Sequence, residues 1–270
     1  MKNFQLSFVQ GRLSQKIGSN FQHFPINNWQ NEIKLAKKIG IKSIEWIISD
    51  LSNPIFNDSS ISEINKLLKK NKINISSLSL DLMMTKSLYK WEKVNIEWLI
   101  KNLNKSLKKF KIKRLNLPCE ETSRFYNYNN MIHFIKNLKI LIKNLNNSTL
   151  VSIESDFSPK NLNHLLKKIN SKKVGINLDI GNIEANGYDI REFFKDFPGR
   201  IFGIHLKNRK ILFGTSKRLQ KNNNLEYLKK NLYQLKKLND ITLQTFRGNK
   251  NFISEFKINL NFIKKFLQVK

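Results

Sequence analysis

A regular alternation of short apolar segments with longer amphipathic segments constrains this chain more than any other feature. The apolar segments have the length of β-strands, and we predict strands at residues 6–9, 43–48, 73–78, 112–117, 149–154, 174–179, 200–205 and 241–243. The longer segments carry apolar residues at helical spacing, and we predict helices at residues 28–39, 60–71, 91–110, 129–145, 159–169, 190–197, 225–238 and 252–267. The chain therefore reads as eight strand–helix units in succession.

Such an alternation specifies a parallel sheet covered by helices, and eight units in about 250 residues match a closed barrel. No linker rich in Pro, Gly or Ser separates the units. A doubly wound open sheet is the alternative, but the first strand is not followed by the Gly-x-Gly-x-x-Gly turn of dinucleotide-binding folds. We therefore predict an α/β fold, a single (β/α)8 TIM barrel, with one domain over residues 1–270.

The charge of the chain is extreme, with 49 basic and 20 acidic residues and a formal net charge of +29. Such a charge can mark a protein that binds nucleic acid, an anionic membrane or an acidic substrate. The lysines, however, fall singly or in pairs on polar helix faces, as in Lys37-Lys38 and Lys264-Lys265, and the chain has no arginine-rich arm. We therefore interpret the charge as compositional drift and expect no specific nucleic-acid partner.

Cysteine use and hydropathy bear on where the protein works. Cys119 is the only cysteine, which excludes an intrachain disulfide and favours a reducing compartment. The first residues lack the apolar run of a secretory signal, and no segment has the roughly 20 apolar residues needed to span a bilayer. We expect a cytoplasmic protein without a membrane partner.

Three successive predicted strands, the fifth, sixth and seventh, end in residues that can bind a metal. Glu154, Asp179 and His205 occupy these positions, and Gln244 ends the eighth strand. The carboxyl ends of all barrel strands open on the same face, so these side chains should converge there. A shell of mostly oxygen ligands with one nitrogen suits Mn²⁺, Mg²⁺, Co²⁺ or Zn²⁺.

Each of these residues also has an ordinary structural explanation. Glu154 could cap the next helix, although Ser158 already offers that cap, and Asp179 could belong to a turn. His205 lies between apolar neighbours and could be a buried histidine with satisfied hydrogen bonds. The coincidence of all three on successive strands favours the site. Of the other histidines, only His23, in the loop after the first strand, is placed to contact a substrate.

At these residues the sequence resembles the sugar phosphate isomerase/epimerase family, the xylose isomerase-like TIM barrels. The resemblance covers nearly the whole chain. It is carried by the segments VQGRLS at 9–14, FP at 24–25 with Trp29, IEWI at 44–47, NP at 53–54, IESD at 153–156, NLDIGN at 177–182, IHLKNR at 204–209 and LQT at 243–245.

The resemblance implies a role for individual residues. Glu154, Asp179 and His205 match three metal ligands of the family, and Gln244 falls where many members have a second glutamate. Asn182 falls where many members have a substrate-contacting histidine.

Three further residues complete the site that the resemblance implies. Arg209 resembles a basic residue that contacts substrate oxygens, and Lys207 would assist it. Glu45, placed at the end of the second predicted strand, resembles acidic residues that line the same pocket.

Gln244 is the main departure from the family pattern. Epimerases of this family use two opposed glutamates as acid and base, and an amide cannot exchange that proton near neutral pH. An amide oxygen can still bind a metal, so the metal site is preserved. Glu154 could remain a base, with Glu45, Asp156 or a metal-bound water as its counterpart.

The function expected from this resemblance is a metal-dependent isomerase or epimerase of a small sugar, keto-sugar or polyol, phosphorylated or acidic substrates included. Such an enzyme transfers a proton through a metal-stabilised enediolate, and a lyase or dehydratase would use related chemistry. The alternatives are a non-catalytic sugar-binding barrel, which Gln244 permits, and a DNA-repair endonuclease on the same barrel. That endonuclease needs a histidine-rich cluster, for which only His23 and His205 are available. A homo-oligomer is also expected from the family.

Overall fold

The computed structural model describes residues 4–16, 18, 22–210, 214–247 and 251–268. Its strands, in chain order, are β1 Gln5–Val9, β2 Ser43–Ile47, β3 Asn74–Ser79, β4 Arg114–Cys119, β5 Leu150–Ser155, β6 Val174–Asp179, β7 Ile201–Leu206, β8 Asn208–Lys210, β9 Gly214–Lys217 and β10 Asp240–Leu243. Eight of these strands close into a barrel in the order β1-β10-β7-β6-β5-β4-β3-β2, and each neighbouring pair is parallel. The predicted (β/α)8 TIM barrel is confirmed, while the extent of its domain over residues 1–270 stays a prediction.

Helices follow the barrel strands along the described chain. They are α1 Trp29–Ile39, α2 Asp58–Asn71, α3 Leu82–Thr85, α4 Lys93–Lys109, α5 Tyr128–Asn144, α6 Pro159–Ile169, α7 Ile180–Ala185, α8 Ile190–Asp196, α9 Asn223–Asn231 and α10 Phe252–Leu267. Short 3₁₀ turns lie at Pro54–Phe56, Leu88–Lys90, Glu121–Ser123 and Leu232–Gln234. No helix of the described residues is long and apolar enough to cross a membrane.

Helix ends follow from local sequence signals. Gly40 ends α1 in the left-handed conformation, with φ of 75°, which an L residue adopts only at a cost in strain. Ser158 caps α6 by accepting a hydrogen bond from the amide of Asn161 at 3.4 Å, as the sequence suggested. The two predicted boundaries of α6 and of α10 coincide with the observed ones.

Several sequence predictions need correction. The strand predicted to end before Pro118 includes that residue, because a proline next to the last residue of a strand removes only one ladder donor. Glu45 lies in the middle of β2 and not at its end. The helix predicted over 225–238 is shorter and passes into a 3₁₀ turn.

The segment after the seventh barrel strand also differs from expectation. The sequence left the loop at residues 213–217 open between two interpretations, an anion site formed by backbone amides and an ordinary surface loop. Phe213 lies outside the described residues, and Gly214–Lys217 forms β9, which pairs antiparallel with β8. The amides of this hairpin that take part in the ladder are therefore not free for an anion.

Side chains alternate between two environments along the barrel strands. The apolar residues of each strand face the helices and form one continuous core. The intervening positions face the inside of the barrel, where small and polar side chains bond across strands. Among these contacts, Ser7 Oγ lies 2.7 Å from Thr242 Oγ1, and Ser152 Oγ lies 3.1 Å from Asn116 Oδ1. The barrel interior is therefore polar along part of its length.

The loop after β1 is held in place by a buried carboxylate of α1. Glu32 accepts hydrogen bonds from the Gly11 amide at 3.0 and 2.9 Å and from the Leu13 amide at 2.9 Å. Burial raises the pKa of Glu32 to about 7, although the hydrogen bonds from Gly11 and Leu13 oppose this rise. Because the loop is at the carboxyl end of β1, Glu32 also fixes one wall of the barrel mouth.

We expect Glu32→Ala to lower the free energy of unfolding by about 1–3 kcal/mol, because it leaves buried amides without acceptors. Glu63→Ala is the matched control, since Glu63 is an exposed carboxylate of the neighbouring helix α2, and it should change stability by less than about 0.5 kcal/mol. Urea denaturation of the three proteins measures both values. Equal stabilities for the two variants would contradict the anchoring role of Glu32.

Candidate metal centre at the barrel mouth

The three ligands predicted at successive strand ends come together in the structure. Glu154 of β5, Asp179 of β6 and His205 of β7 are all buried, and each offers a ligand atom within 4.8 Å of the others. The register of the sheet pairs Asp179 directly with His205. The convergence follows from parallel strands ending on one face of a closed barrel.

The two carboxylate oxygens of Asp179 have different partners. Its Oδ1 accepts a hydrogen bond from the amide of Asn182 at 2.9 Å and so caps α7. Its Oδ2 faces the other ligands, 3.9 Å from His205 Nδ1. The turn chemistry considered from the sequence is therefore real, and it uses only one of the two carboxylate oxygens.

His205 is held between two carboxylates. Its Nδ1 lies 3.0 Å from Glu154 Oε1, and its Nε2 lies 2.8 Å from Glu45 Oε1. Burial alone would lower the pKa of His205, but the charges of Glu154 and Glu45 outweigh it and raise the pKa well above its ordinary value. A histidine that gives one nitrogen to a cation and the other to a carboxylate is a common arrangement in metal sites.

Glu154 is fixed through both of its oxygens. Its Oε2 accepts hydrogen bonds from Asn116 Nδ2 at 2.7 Å and from Asn177 Nδ2 at 3.2 Å, while Oε1 faces His205. Burial would raise the pKa of Glu154, but the positive charges of His205 and Lys207 win and hold it well below its ordinary value. Glu154 is therefore a carboxylate throughout the physiological range.

Gln244 turns its amide oxygen toward the same centre. Its Nε2 donates to Gln22 Oε1 at 2.8 Å, and its Oε1 accepts from Lys207 Nζ at 3.0 Å. Gln22 in turn donates to Asp81 Oδ2 at 2.5 Å, and burial raises the pKa of Asp81 to about 6. Gln22 and Asp81 were missed from the sequence, although Asp81 follows β3 just as the ligands follow or end their strands.

Lys207 occupies the centre of this group. Its Nζ lies 2.6 Å from Asp179 Oδ2, 3.0 Å from Gln244 Oε1 and 3.8 Å from Glu154 Oε1. Burial would lower the pKa of Lys207, but the carboxylates of Asp179, Glu120 and Glu154 raise it above its ordinary value. Lys207 was predicted from the sequence to contact the substrate, whereas in the structure its ammonium lies among the proposed metal ligands.

Glu45 lies beneath His205 and away from the open mouth. The residue is fully buried, and its Oε2 accepts from Ser77 Oγ at 2.6 Å and lies 3.5 Å from Arg114 Nη1. Its position in the middle of β2 explains this depth. The geometry favours a positioning role for Glu45, as the carboxylate that orients the histidine ring, over contact with a substrate.

Asn182 and Arg209, assigned to the substrate from the sequence, lie together at the rim. Arg209 Nη1 donates to Asn182 Oδ1 at 2.6 Å, and Arg209 also pairs with the exposed Glu121. His23 is half-buried, and its backbone carbonyl lies against Gly11. Among the described residues, no hydrogen bond or ion pair joins His23 to Glu154, Asp179, His205, Lys207 or Gln244.

Glu120 is a buried acid at the barrel mouth that was not predicted from the sequence. It follows β4 directly, accepts a short hydrogen bond from Asn182 Nδ2, and lies 3.9 Å from Arg209 Nη1. Burial raises its pKa to about 8, even though the charge of Lys207 opposes the rise. Its place directly after a barrel strand was the signal that could have found it.

The donor set fits a divalent cation. Two carboxylates, one imidazole nitrogen and one amide oxygen converge, and the ammonium of Lys207, 2.6 Å from Asp179 Oδ2 and 3.0 Å from Gln244 Oε1, shows that these oxygens attract a cation. Mg²⁺ and Mn²⁺ prefer oxygen ligands, and Zn²⁺ and Co²⁺ accept this mixture. In the described part of the chain, this is the one group of three or more acidic, histidine or cysteine side chains with such spacing.

Comparison with solved structures finds the same fold in proteins of low sequence identity. A sugar phosphate isomerase/epimerase from Parabacteroides distasonis has 16% identity and a TM-score of 0.67, over 98% of this chain and 94% of that one. D-psicose 3-epimerase from Clostridium cellulolyticum, solved with D-tagatose, has 12% identity and a TM-score of 0.71, over 98% and 99%. A xylose isomerase-like TIM barrel protein from Mycobacterium smegmatis, in complex with magnesium, has 13% identity and a TM-score of 0.69, over 97% and 96%.

These neighbours confirm that the resemblance noted from the sequence extends to the fold. No protein-family model matches the sequence, and no curated protein matches it.

The raised pKa of Glu120 predicts a pH dependence of stability. Its folded value of about 8 exceeds the ordinary 4.5, so the folded state holds the proton more tightly. This contribution is complete below the unfolded value and is lost as the pH rises toward the folded value, by up to about 1.4 kcal/mol per pH unit.

We expect Glu120→Gln to remove this part of the pH dependence, because an amide does not ionise. Urea denaturation from about pH 5 to about pH 9 measures the slope for each protein. Glu97→Gln, which changes an exposed acid of α4, should keep the slope of the unmodified protein. A slope in Glu120→Gln equal to that of the unmodified protein would contradict the assignment.

Proposed function

We propose that this protein is a metal-dependent isomerase or epimerase of a small sugar, keto-sugar or polyol. The observation that carries the proposal is the convergence of Glu154, Asp179 and His205, with Gln244 beside them, at the carboxyl ends of four barrel strands. Active sites of such barrels lie at this face. The structural neighbours add support, since two of them are named as sugar epimerases or isomerases and one holds magnesium.

The four residues would hold one divalent cation, of Mg²⁺, Mn²⁺, Co²⁺ or Zn²⁺. When bound, such a cation supplies Lewis-acid polarisation of a substrate carbonyl. The magnesium of one neighbour and the oxygen-rich shell both support a hard or borderline metal.

One ionised and one protonated carboxyl group would move the proton. Glu154 is ionised and held by Asn116 and Asn177, so it can accept a proton from a carbon next to the carbonyl. Glu120, with a pKa of about 8, carries a proton at neutral pH and can return one to the substrate. Glu120 is thus the candidate counterpart that Gln244 cannot be.

Asn182 and Arg209 would orient the substrate at the rim. Their mutual hydrogen bond leaves further donor atoms of the guanidinium directed at neighbouring carboxylates. A planar guanidinium suits oxygens of a sugar, a sugar acid or a phosphate. This pair therefore supports a polyhydroxylated or acidic substrate, and the sequence assignment of His23 to the substrate stays a prediction.

Gln244 favours one alternative, a barrel that binds sugars without converting them. Its amide is engaged with Lys207 and Gln22 and has no proton to transfer at neutral pH. If the second acid of the mouth is not used, the site could still hold a metal and a sugar. Four further properties stay predictions with this proposal. They are a cytoplasmic location, a role in carbohydrate metabolism, the absence of a specific nucleic-acid partner and a homo-oligomeric assembly.

Exchange of solvent deuterium into ketoses tests the function. We expect the manganese-loaded protein in D₂O to exchange the hydrogen next to the carbonyl of at least one ketose, read by proton NMR. Glu154→Gln should slow that exchange by about 10²-fold or more, since it removes the base and also one carboxylate ligand of the metal. Glu63→Gln, on an exposed helix face, is the control and should exchange at the unmodified rate. Binding of a ketose without exchange in any member of the panel would favour the non-catalytic barrel.

A further inference from the structure

The ammonium group of Lys207 lies where a cation bound by the proposed ligands would lie. It contacts Asp179 Oδ2 at 2.6 Å and Gln244 Oε1 at 3.0 Å, and lies 3.8 Å from Glu154 Oε1. These are three of the four proposed metal ligands, and the lysine is itself buried. A salt bridge at the rim would leave these oxygens open to a metal, whereas this one covers them.

The chain makes room for this lysine. Gly181, in the first turn of α7, has no side chain, and a Cβ there would collide with Cγ of Lys207. The same Cβ would lie 3.2 Å from Asp179 Oδ1, closer than such contacts normally come. The glycine therefore permits the side chain of Lys207 to fold inward from the end of β7 toward the ligands.

The replacement of a glutamate by Gln244 lowers the negative charge around the ammonium. Gln244 stands where the resemblance implies a glutamate, so the group has one carboxylate fewer than that pattern. The amide oxygen still accepts a hydrogen bond from the ammonium, and Gln22 holds the amide in the orientation that permits it. An ammonium thus finds two carboxylates and one neutral acceptor around it, which leaves one negative charge in excess, whereas a glutamate at position 244 would leave two.

We propose that Lys207 is a built-in cation of this site and that a divalent metal can bind only when its ammonium group moves out. Metal–oxygen distances of about 2.0–2.3 Å would bring a metal held by Asp179 and Gln244 into the space of the ammonium. Two cations that close in a buried site repel each other strongly. The proposal rests on the proposed function in one respect, that Asp179 and Gln244 are metal ligands.

Displacement would give Lys207 a second position. Its side chain starts next to the rim, where Arg209 and Asn182 lie, and an outward ammonium would meet the oxygens of a bound substrate. Metal binding would then be coupled to the movement of the Lys207 ammonium toward the substrate. This reconciles the assignment of Lys207 to the substrate with its observed place among the ligands.

Binding of Mn²⁺ measured by calorimetry tests the competition. We expect Lys207→Met to bind one Mn²⁺ at least about tenfold more tightly than the unmodified protein, within the range usual for coupled binding events. Lys207→Arg, which keeps a cation in place, should bind no more tightly than the unmodified protein. Lys173→Met is the matched control, because Lys173 is a half-buried lysine directly before β6, whereas the ligand Asp179 ends that strand, and it should leave the affinity unchanged.

Thermal unfolding adds a second reading of the same variants. Without metal, Lys207→Met should unfold at a lower temperature than the unmodified protein, because Asp179 and Glu154 lose their counter-ion. Saturating Mn²⁺ should raise its unfolding temperature more than that of the unmodified protein. If the methionine variant does not fold without metal, Lys207→Gln is measured in its place, with the same expected order of affinities.

Amine labelling locates the ammonium directly. Acetic anhydride followed by peptide mass spectrometry should leave Lys207 of the metal-free protein unmodified, and should acetylate it once Zn²⁺ is bound. Equal protection with and without Zn²⁺ would overturn the proposal, as would equal or weaker Mn²⁺ binding by Lys207→Met.

The binding measurements distinguish an error in the proposed competition from an error in the proposed function. If the unmodified protein binds one Mn²⁺ but Lys207→Met binds no more tightly, only the competition is wrong. If neither protein binds Mn²⁺, the competition and the metal part of the proposed function are both wrong. Mn²⁺ binding by Lys207→Met alone supports the competition and shows that the unmodified site is closed by its lysine.

Discussion

The imidazole of His205, clamped between two buried carboxylates, is the interaction on which the rest of this barrel mouth depends. Beneath it, Glu45 faces Arg114, whose guanidinium also pairs with Asp240 at 2.7 Å. Opposite charges therefore alternate along the interior, from Asp240 through Arg114, Glu45 and His205 to Glu154. Each charge is buried, and burial of an unpaired charge would cost several kcal/mol.

This chain of charges depends on backbone positions without side chains. Gly203 lies two residues before His205 in β7, and a Cβ there would collide with the Arg114 guanidinium and the amide oxygen of Asn177. Gly181 does the same for Lys207. The two glycines thus admit the cations that neutralise the interior, one below the histidine and one above it. A larger residue in place of either glycine would force a charged side chain out of the barrel.

Strand ends and helix spacing made the fold and part of the site predictable from the sequence. The position of Glu154, Asp179 and His205 at strand ends required only that the strands be parallel and closed, and the structure brings these three together. A further signal, the alternation of polar residues along strands, would have revealed the interior network. Arg114 and Asn116 in β4, for example, are two residues apart and therefore share one face of the strand.

Other features depend on three-dimensional detail that no spacing contains. Lys207 lies two residues after His205 in the sequence, but this spacing does not predict that its ammonium folds back between Asp179 and Gln244. It shows Glu45 in an apolar run, whereas the bulge in the pairing of β2 with β3 and the depth of β2 set its place beneath the histidine. The raised pKa of Glu120 likewise arises from its burial and from the nearby carboxylates of Glu154 in β5 and Asp179 in β6.

We infer that the barrel mouth holds one divalent metal on Glu154, Asp179, His205 and Gln244. The most direct measurement is an anomalous difference map from crystals soaked in Mn²⁺. We expect one strong peak within about 2.0–2.4 Å of Asp179 Oδ2, His205 Nδ1 and an oxygen of Glu154, with the amide oxygen of Gln244 as fourth ligand. A map without a peak there, at a Mn²⁺ concentration that saturates the calorimetric signal, or with its peak at another place, would contradict it.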